Sequence, residues 1–370
     1  MAKADSKVQN RFAFSFRSYR RHTHVHAPVI PMATTSAVAC TPLLSTSRVP
    51  RHSRRGVCAK SQRTRVVAPR ATASSDETES SGKTTPDTTI VVFGANGKTG
   101  RRCVEQGALA GANVVACTRA GDFNTNGLGL DSDAVNMIEP RKGDVSKLSS
   151  DELSEIVTGA TSVIFAASAS PNGGTPEEVD KNGLIAVATA CIQKKVPRLV
   201  IVSSGSVSKP LSPVYIFLNF FGGVMRSKIE GEDAIRRMYV EREFSDYVIV
   251  RPGGLTEDPG RGASAMELNQ GDLKSGRVSR EDVAGVCVAL AMNVENKLAS
   301  NATFECYWSD TANDLSDVGV SNMLGAFNAD DKGTSKSTGK EQRGETWEEL
   351  LQGVEADKPG EAQQGWGPSL

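Results

Sequence analysis

Between an apolar run, Ile90-Val-Val-Phe93, and a stretch with helical spacing lies the loop Gly94-Ala-Asn-Gly97-Lys-Thr-Gly100. A strand that passes through a glycine-rich turn straight into a helix begins a βαβ unit, and this order constrains the fold more than any other feature. Gly94 permits the tight turn, Gly97 lets a pyrophosphate approach the backbone, and Gly100 lets helix and strand pack closely. The helix N-terminus adds N–H donors and a positive dipole end. Gly94, Ala95, Asn96, Gly97, Lys98, Thr99 and Gly100 therefore read as the phosphate loop of a dinucleotide site.

Apolar runs and helical spacings alternate beyond the loop. Strands are predicted over Thr89 to Phe93, Asn113 to Cys117, Met137 to Lys142, Ser162 to Ala166, Arg198 to Val202, Asp246 to Val250 and Thr303 to Cys306. Helices are predicted over Thr99 to Ala110, Ser150 to Thr158, Pro176 to Lys195, Val224 to Val240 and Arg280 to Met292, with a Gly-rich excursion from Gly121 to Asp133. Such alternation makes parallel strands joined by crossover helices. The expected fold is α/β, a doubly wound Rossmann-like parallel sheet of about seven strands in one domain, residues 88–309, with disordered termini.

Residues 1–75 carry fourteen Lys or Arg and one acid, Asp5, amid Ser, Thr, Ala and Val, the composition of a transit peptide. The stretch from Met32 reads alone as a chloroplast-type presequence, so Met32 is an alternative start. VVAPRATA, around Ala68 to Ala73, resembles a plastid processing site. The expected location is the chloroplast stroma, after transit-peptide removal. Residues 76–87 read as a polar linker and 310–370 as an acidic polar tail. Within the tail only Thr346-Trp-Glu-Glu-Leu-Leu351 looks helical. It reads either as a segment that docks a protein partner through Trp347 and Leu350 or as a solvated extension.

The balance of 43 basic and 43 acidic residues becomes 29 against 42 from Ser74 onward. An acidic domain without a basic stripe excludes nucleic acid as a partner. All four histidines, His22, His24, His26 and His52, lie in the transit segment. Their loss removes Ser-His-Asp and Cys-His catalysis and every His-bearing metal site, and no metal is expected. The seven cysteines form no C-x-x-C pair, and five of them fall in predicted helices or strands as free thiols. No run of 18 apolar residues marks a transmembrane segment.

NAD-selective sites place an acid near the end of the second strand, where it binds the ribose hydroxyls. Here the strand ends in Cys117-Thr118-Arg119. A guanidinium there can pair with a 2′-phosphate, which points to NADP(H) as the small-molecule partner, with NAD(H) as the alternative. Lys98 and Arg101 can add charge near the phosphates. Asp122 would take the ribose role if the strand ended later.

Five segments together resemble the atypical short-chain dehydrogenase/reductase family. They are Val92 to Arg101, Arg198-Leu-Val-Ile-Val-Ser-Ser-Gly205, Met225 to Arg236, Tyr247-Val-Ile-Val-Arg-Pro-Gly-Gly-Leu255, and Val278-Ser-Arg-Glu-Asp-Val-Ala-Gly-Val286. The resemblance spans Thr88 to Tyr307 and extends loosely to the dehydrogenase-like domain of the redox-sensing chloroplast import translocon subunit. That subunit's Pro/Ser-rich repeats have no counterpart here, so its reductase partner is not carried over. The resemblance implies that Gly143, Asp144 and Val145 lie beside the adenine, and Ala166, Ala167 and Ser168 beside the ribose and pyrophosphate. It further implies that Pro252 and Gly253 line the nicotinamide end.

Active members of the family carry a Ser after the fifth strand and a Tyr four residues before a Lys. Ser203 or Ser204 takes the first role and Lys228 the third, also touching the cofactor ribose. The Tyr position is Val224. Tyr215, nine residues earlier, reads either as a substitute proton donor or as pocket wall. Lys228 reads either as the family lysine or as half of an i,i+4 ion pair with Glu232.

Three roles are compatible with these residues. One is an oxidoreductase acting on a small plastid metabolite through Ser204, Lys228 and Tyr215. Another is a catalytically silent NADP(H)-sensing or scaffold protein, and the last is attachment to a membrane surface through Pro213 to Met225. The balance leans to redox-competent dinucleotide binding.

Overall fold

A computed structural model describes residues 88–220, 222–317 and 336–363. The expected transit segment, linker and alternative start lie outside these residues. The first half of the domain comprises β1 (Thr89–Phe93), α1 (Lys98–Leu109), β2 (Asn113–Thr118), α2 (Ser132–Asn136), β3 (Ile138–Lys142), α3 (Ser150–Val157) and β4 (Ser162–Phe165). A π-helical segment, Glu177–Gly183, then runs into α4 (Leu184–Gln193) and β5 (Arg198–Val202). The second half holds α5 (Pro213–Asn219), α6 (Val224–Met238), β6 (Asp246–Pro252), β7 (Gly254–Thr256), β8 (Met266–Asn269), β9 (Lys274–Ser275), β10 (Arg277–Ser279) and α7 (Arg280–Met292). After these come β11 (Ala302–Trp308), β12 (Asn313–Asp314) and α8 (Trp347–Gln352).

The main sheet has the order β3-β2-β1-β4-β5-β6-β11-β8, parallel throughout except for β8, which runs antiparallel to β11. Chain order reverses between β1 and β4, so the fold is the doubly wound α/β sheet expected. Its strands alternate between two cores. Ile90, Val92, Ile164, Val200 and Val248 face α1 and α7, while Val91, Phe93, Val163, Leu199 and Ile249 face α3 and α4. With both faces covered, the strands read as continuous apolar runs rather than alternating ones. α3 starts on a capping box between Ser149 and Glu152. The five described cysteines are all free and buried, and burial pushes the Cys117 thiol up to about 12.

Three features differ from expectation. The sheet gains an eighth strand, β8, whose Met-Glu-Leu-Asn sequence has no β-branched residue to announce it. The helix expected over Pro176 to Lys195 is π-wound in its first part, with Asp180 buried on the inside. The polar tail is not a solvated extension over residues 336–363. Gln342 pairs with Leu268 at the edge of β8, Glu341 meets Lys274 at 2.6 Å, and Arg343 meets Glu267 at 2.5 Å. Leu350 and Leu351 are fully buried in the α7 core, and Trp347 covers Gly285, where a Cβ would lie 2.6 Å from the indole. Farther on, Asp357 bonds Arg236, Tyr247 and Thr303. Polar composition hid this docking because most of the anchors are ion pairs and hydrogen bonds. Trp347 and Leu350, proposed as anchors for a protein partner, are used within the chain itself.

Candidate functional site

The carboxyl ends of β1 to β6 converge around the point where strand order reverses, the place where open α/β sheets hold ligands. Gly94 leaves β1 with φ of +81°, and a Cβ there would lie 2.6 Å from the Ala167 nitrogen. At Gly100 a Cβ would lie 2.2 Å from the Gly94 carbonyl oxygen, so only glycine lets α1 start so close to the strand. Gly97 is the α1 N-cap. It offers no side-chain cap, and the first turn contains no acid.

The first-turn N–H groups of a helix have no intrahelical acceptor. Here they face a surface where the nearest atoms to a Gly97 Cβ are the Gly94 carbonyl at 3.0 Å and the Ala166 carbonyl at 3.9 Å. A helix N-terminus whose first-turn donors have no acceptor among the described residues, at a positive dipole end and opened by a glycine with no side chain in the way, fits the pyrophosphate of a dinucleotide.

β2 ends at Thr118, so Arg119 and not Asp122 is the first residue beyond it. The exposed Arg119 guanidinium donates to the Asn172 carbonyl across the cleft at 2.5 Å. Asp122 turns its backbone inward: its carbonyl accepts from Asn96 Nδ2 at 3.1 Å and from the Thr118 hydroxyl at 2.9 Å. The other two cations are engaged elsewhere. Lys98 pairs with Glu257 at 2.7 Å, and Arg101 donates to the Asn126 carbonyl while lying 5.4 Å from the Phe123 ring centroid.

Gly143 packs on β2, where a Cβ would lie 2.7 Å from that of Cys117, and it leads into Asp144 and Val145, both buried. Burial works to raise the Asp144 carboxyl, but hydrogen bonds from the Ser146 hydroxyl and N–H, with Lys147 nearby, outweigh it and hold the group below its ordinary value. After β4, Ser168 donates to Asp180 at 2.7 Å, and Ala169 N–H donates to the other oxygen at 2.9 Å. Lys228 completes the group with its ammonium 2.8 Å from Asp180. Lys228 is therefore not the partner of Glu232. Sequence reasoning missed Asp180 entirely, since nothing distinguishes it from Glu177 and Glu178 until the π-turn buries it.

Glu232 belongs to a buried network under β5 and β6. Its carboxylate accepts from Ser203, lies 2.6 Å from Arg251 and lies 3.0 Å from Arg236. Burial opposes its ionisation, yet Arg251 and Arg236 prevail and keep it below its ordinary value. Glu305, 3.5 Å from the other side of Arg251, is pushed up to about 8 by burial and by Asp272. One guanidinium thus serves two carboxyls unequally.

Ser204 donates only to the carbonyl of Gly205, so it is the freer of the two serines. Tyr215 is half-buried on α5 against Val207, Met225 and Ile229. Its phenol is raised by burial and lies in the field of Arg226 and Glu230. Among the described residues its hydroxyl has no hydrogen bond to Ser203, Ser204 or Lys228. Val224 opens α6 and packs against the same small cluster. Pro252 accepts from Gly205 N–H at 2.8 Å, and Gly253 crosses Gly276 so closely that a Cβ would lie 2.2 Å from its carbonyl oxygen. No group of three or more His, Cys, Asp or Glu residues among the described residues is arranged to hold a metal ion, and no described helix is long and apolar enough to cross a membrane.

The chain is similar to several known proteins. An uncharacterised chloroplastic protein of Arabidopsis thaliana is 32% identical over 215 residues, 56% of this chain and 73% of the relative. An uncharacterised sugar epimerase of Bacillus subtilis is 24% identical over 174 residues, 44% of this chain and 70% of the relative. Among solved structures, an oxidoreductase of Lactococcus lactis is 17% identical with a TM-score of 0.49, covering 61% of this chain and 93% of its own. The profile of the NAD(P)H-binding family matches residues 94–293, from the first glycine of the phosphate loop to the end of α7. With the sheet order, the glycine cradle and this match in hand, the chain belongs to the NAD(P)H-binding family of Rossmann-fold proteins.

Proposed function

We propose that this is a plastid protein that binds NADP(H) in preference to NAD(H) and whose function is carried by occupancy of that site rather than by the family's usual proton transfer. The observation that carries this reading is the contrast between one side, where the first α1 turn has no side-chain cap among the described residues and Arg119 follows β2, and a far side where Lys228 and Ser203 are already bonded to Asp180 and Glu232. Gly94 to Gly100 would hold the pyrophosphate, Arg119 the 2′-phosphate, and Asp144 with Val145 the adenine. Ala167 and Ser168 would flank the ribose, while Pro252 and Gly253 close the nicotinamide end. A location in the chloroplast stroma is supported by the basic transit-type segment and by chloroplastic relatives in Arabidopsis.

A nicotinamide dinucleotide, when bound, supplies a hydride, and an oxidoreductase also needs a group to move the proton. Position 224 is Val, and the Tyr215 phenol, raised by burial, lies in the field of Arg226 and Glu230. Ser204 favours a second reading, because among the described residues its hydroxyl donates only to the neighbouring Gly205 carbonyl, a local bond it can exchange for one to a small carbonyl substrate. Fluorescence titration with NADPH and NADH tests the first reading: tighter NADPH binding that vanishes in Arg119→Ala is expected, and equal affinities would refute it. NADPH oxidation over a panel of carbonyl compounds separates the two readings. Turnover that falls in Ser204→Ala establishes the oxidoreductase, whereas tight binding without turnover leaves occupancy as the function.

A further inference from the structure

The segment joining β4 to the π-helical turn crosses the carboxyl ends of several strands, and both of its roots are fixed. Ala169 N–H donates to the buried Asp180 carboxylate. At the other root the Thr175 N–H donates to the Glu178 carboxylate at 2.8 Å, and the Glu178 N–H returns a bond to the Thr175 hydroxyl at 3.2 Å. Between them Ser170-Pro171-Asn172-Gly173 forms a turn closed by the Gly173 N–H on the Ser170 carbonyl at 2.8 Å. Proline presets φ at the second position of such a turn, so the Asn172 carbonyl is presented by a stiff unit. Gly174 then reaches the turn after β3, where its Cβ would lie 3.5 Å from that of Ser146. The strap leaves β4, passes Arg119 at the end of β2 and arrives beside the end of β3. That is the side of the switch point where the adenosine half of a dinucleotide belongs.

Arg119 ties the tip of the strap to the far bank of the cleft through the Asn172 carbonyl. Gly173 makes room for that contact. A Cβ there would lie 2.4 Å from Arg119 Nη1 and 2.5 Å from the Ser170 hydroxyl, although Gly173 does not need a left-handed φ. Its missing side chain therefore accommodates the guanidinium, not the backbone. A guanidinium has five donors in a planar fork, so the bond to Asn172 leaves an edge for a second acceptor.

We infer that Gly173 and the Asn172 carbonyl determine cofactor selectivity together with Arg119, by holding the guanidinium so that it bridges a ribose 2′-phosphate and the strap. This inference rests on the NADP(H) reading of Arg119. A dinucleotide with the 2′-phosphate is held against the strap through this bridge at its adenosine half; one without it draws nothing from the contact. Selectivity is then expressed in dissociation, because the bridge must open before the ligand leaves.

The test measures affinity and dissociation of NADPH and NADH with the purified full chain and its Gly173→Ala, Arg119→Lys and Arg119→Ala variants. The methyl of Gly173→Ala meets only the flexible ends of Arg119 and Ser170, so the fold is retained, which thermal melting verifies. NADPH is expected to leave about tenfold faster from this variant, the scale of one charge-assisted hydrogen bond. NADH dissociation is expected to stay within about twofold of the wild type, since it makes no use of the bridge. Arg119→Lys keeps the charge without the fork and is expected to behave alike, which preserves the test if Gly173→Ala misfolds. Wild-type NADPH dissociation in Gly173→Ala and Arg119→Lys, with selectivity lost only in Arg119→Ala, would overturn the inference and leave the Arg119 reading standing. Equal losses for both cofactors in Gly173→Ala would also overturn it, whereas a wild type that binds NADPH and NADH equally removes the reading and the inference together.

Discussion

The two sides of the cleft treat polar groups in opposite ways. On the side of β1 to β3, the first-turn donors of α1 have no acceptor among the described residues, and Arg119 uses part of its fork on one backbone carbonyl. On the side of β5 and β6, Glu232, Arg236, Arg251, Asp272 and Glu305 bond one another out of reach of solvent, and the half-buried Ser203 donates to Glu232. Unused hydrogen-bonding capacity is what a binding site needs, while a closed network fixes backbone positions and leaves little for a substrate. The difference teaches that holding a dinucleotide and performing chemistry with it are separable here, and variants on each side should separate them further.

The largest effect is expected at Gly100→Val. Its Cβ would lie 2.2 Å from a backbone oxygen that cannot swing aside. A cost of about 3 kcal/mol or more is expected, with loss of NADPH binding, measured by thermal melting and titration. Next comes Glu232→Ala, which leaves Arg236 and Arg251 short of a buried partner and is expected to cost about 3–5 kcal/mol. NADPH affinity of the folded protein should nonetheless stay near wild type. A collapse of affinity in step with stability would break the comparison between the two sides.

A smaller effect follows from pH. The Glu305 carboxyl, raised to about 8 in the fold from an ordinary value of 4.5, binds its proton more tightly folded than unfolded. Its contribution is fully present below the unfolded value and is lost as pH rises through about 8. Melting temperature should therefore fall between pH 5 and pH 8, and Glu305→Gln should flatten that slope while leaving the NADPH titration unchanged. Asp233, also raised by burial, adds to the same trend. Smallest of all is Tyr215→Phe. With no hydrogen bond from its hydroxyl among the described residues, stability should change by less than about 0.5 kcal/mol and NADPH affinity not at all.

Much of the binding side was legible in the sequence because local rules govern it. The loop after β1 needs glycine for steric reasons that short-range spacing records, and the strands buried on both faces announce themselves as apolar runs. The strand read over Asn113 to Cys117 falls one residue short of its end at Thr118, and Arg119 is the first residue beyond it. The far side was legible only in part, since its content is long-range. Asp180 acquires its role through Ser168 and Lys228, 12 and 48 residues away, and the latter reads in the sequence either as the family lysine or as a partner of Glu232, not of Asp180. Asp357 reaches Arg236 across 121 residues. β8 and, apart from the helix read at Thr346 to Leu351, the segment 336–363 escaped notice for the same reason: their residues are polar or unbranched, and tertiary pairing rather than propensity decides their state.

The burial of Leu350 and Leu351 has a consequence for the order in which the molecule can be completed. These side chains close the core over α7, while β1, α1 and the phosphate loop lie some 250 residues earlier in the sequence. A chain emerging from its N-terminus exposes the α7 face until α8 arrives, so the nascent domain stays open at one wall through most of its synthesis. Any shortened form ending before Leu351 keeps that wall permanently unfinished, a sticky apolar surface on a protein whose dinucleotide loop was made long before.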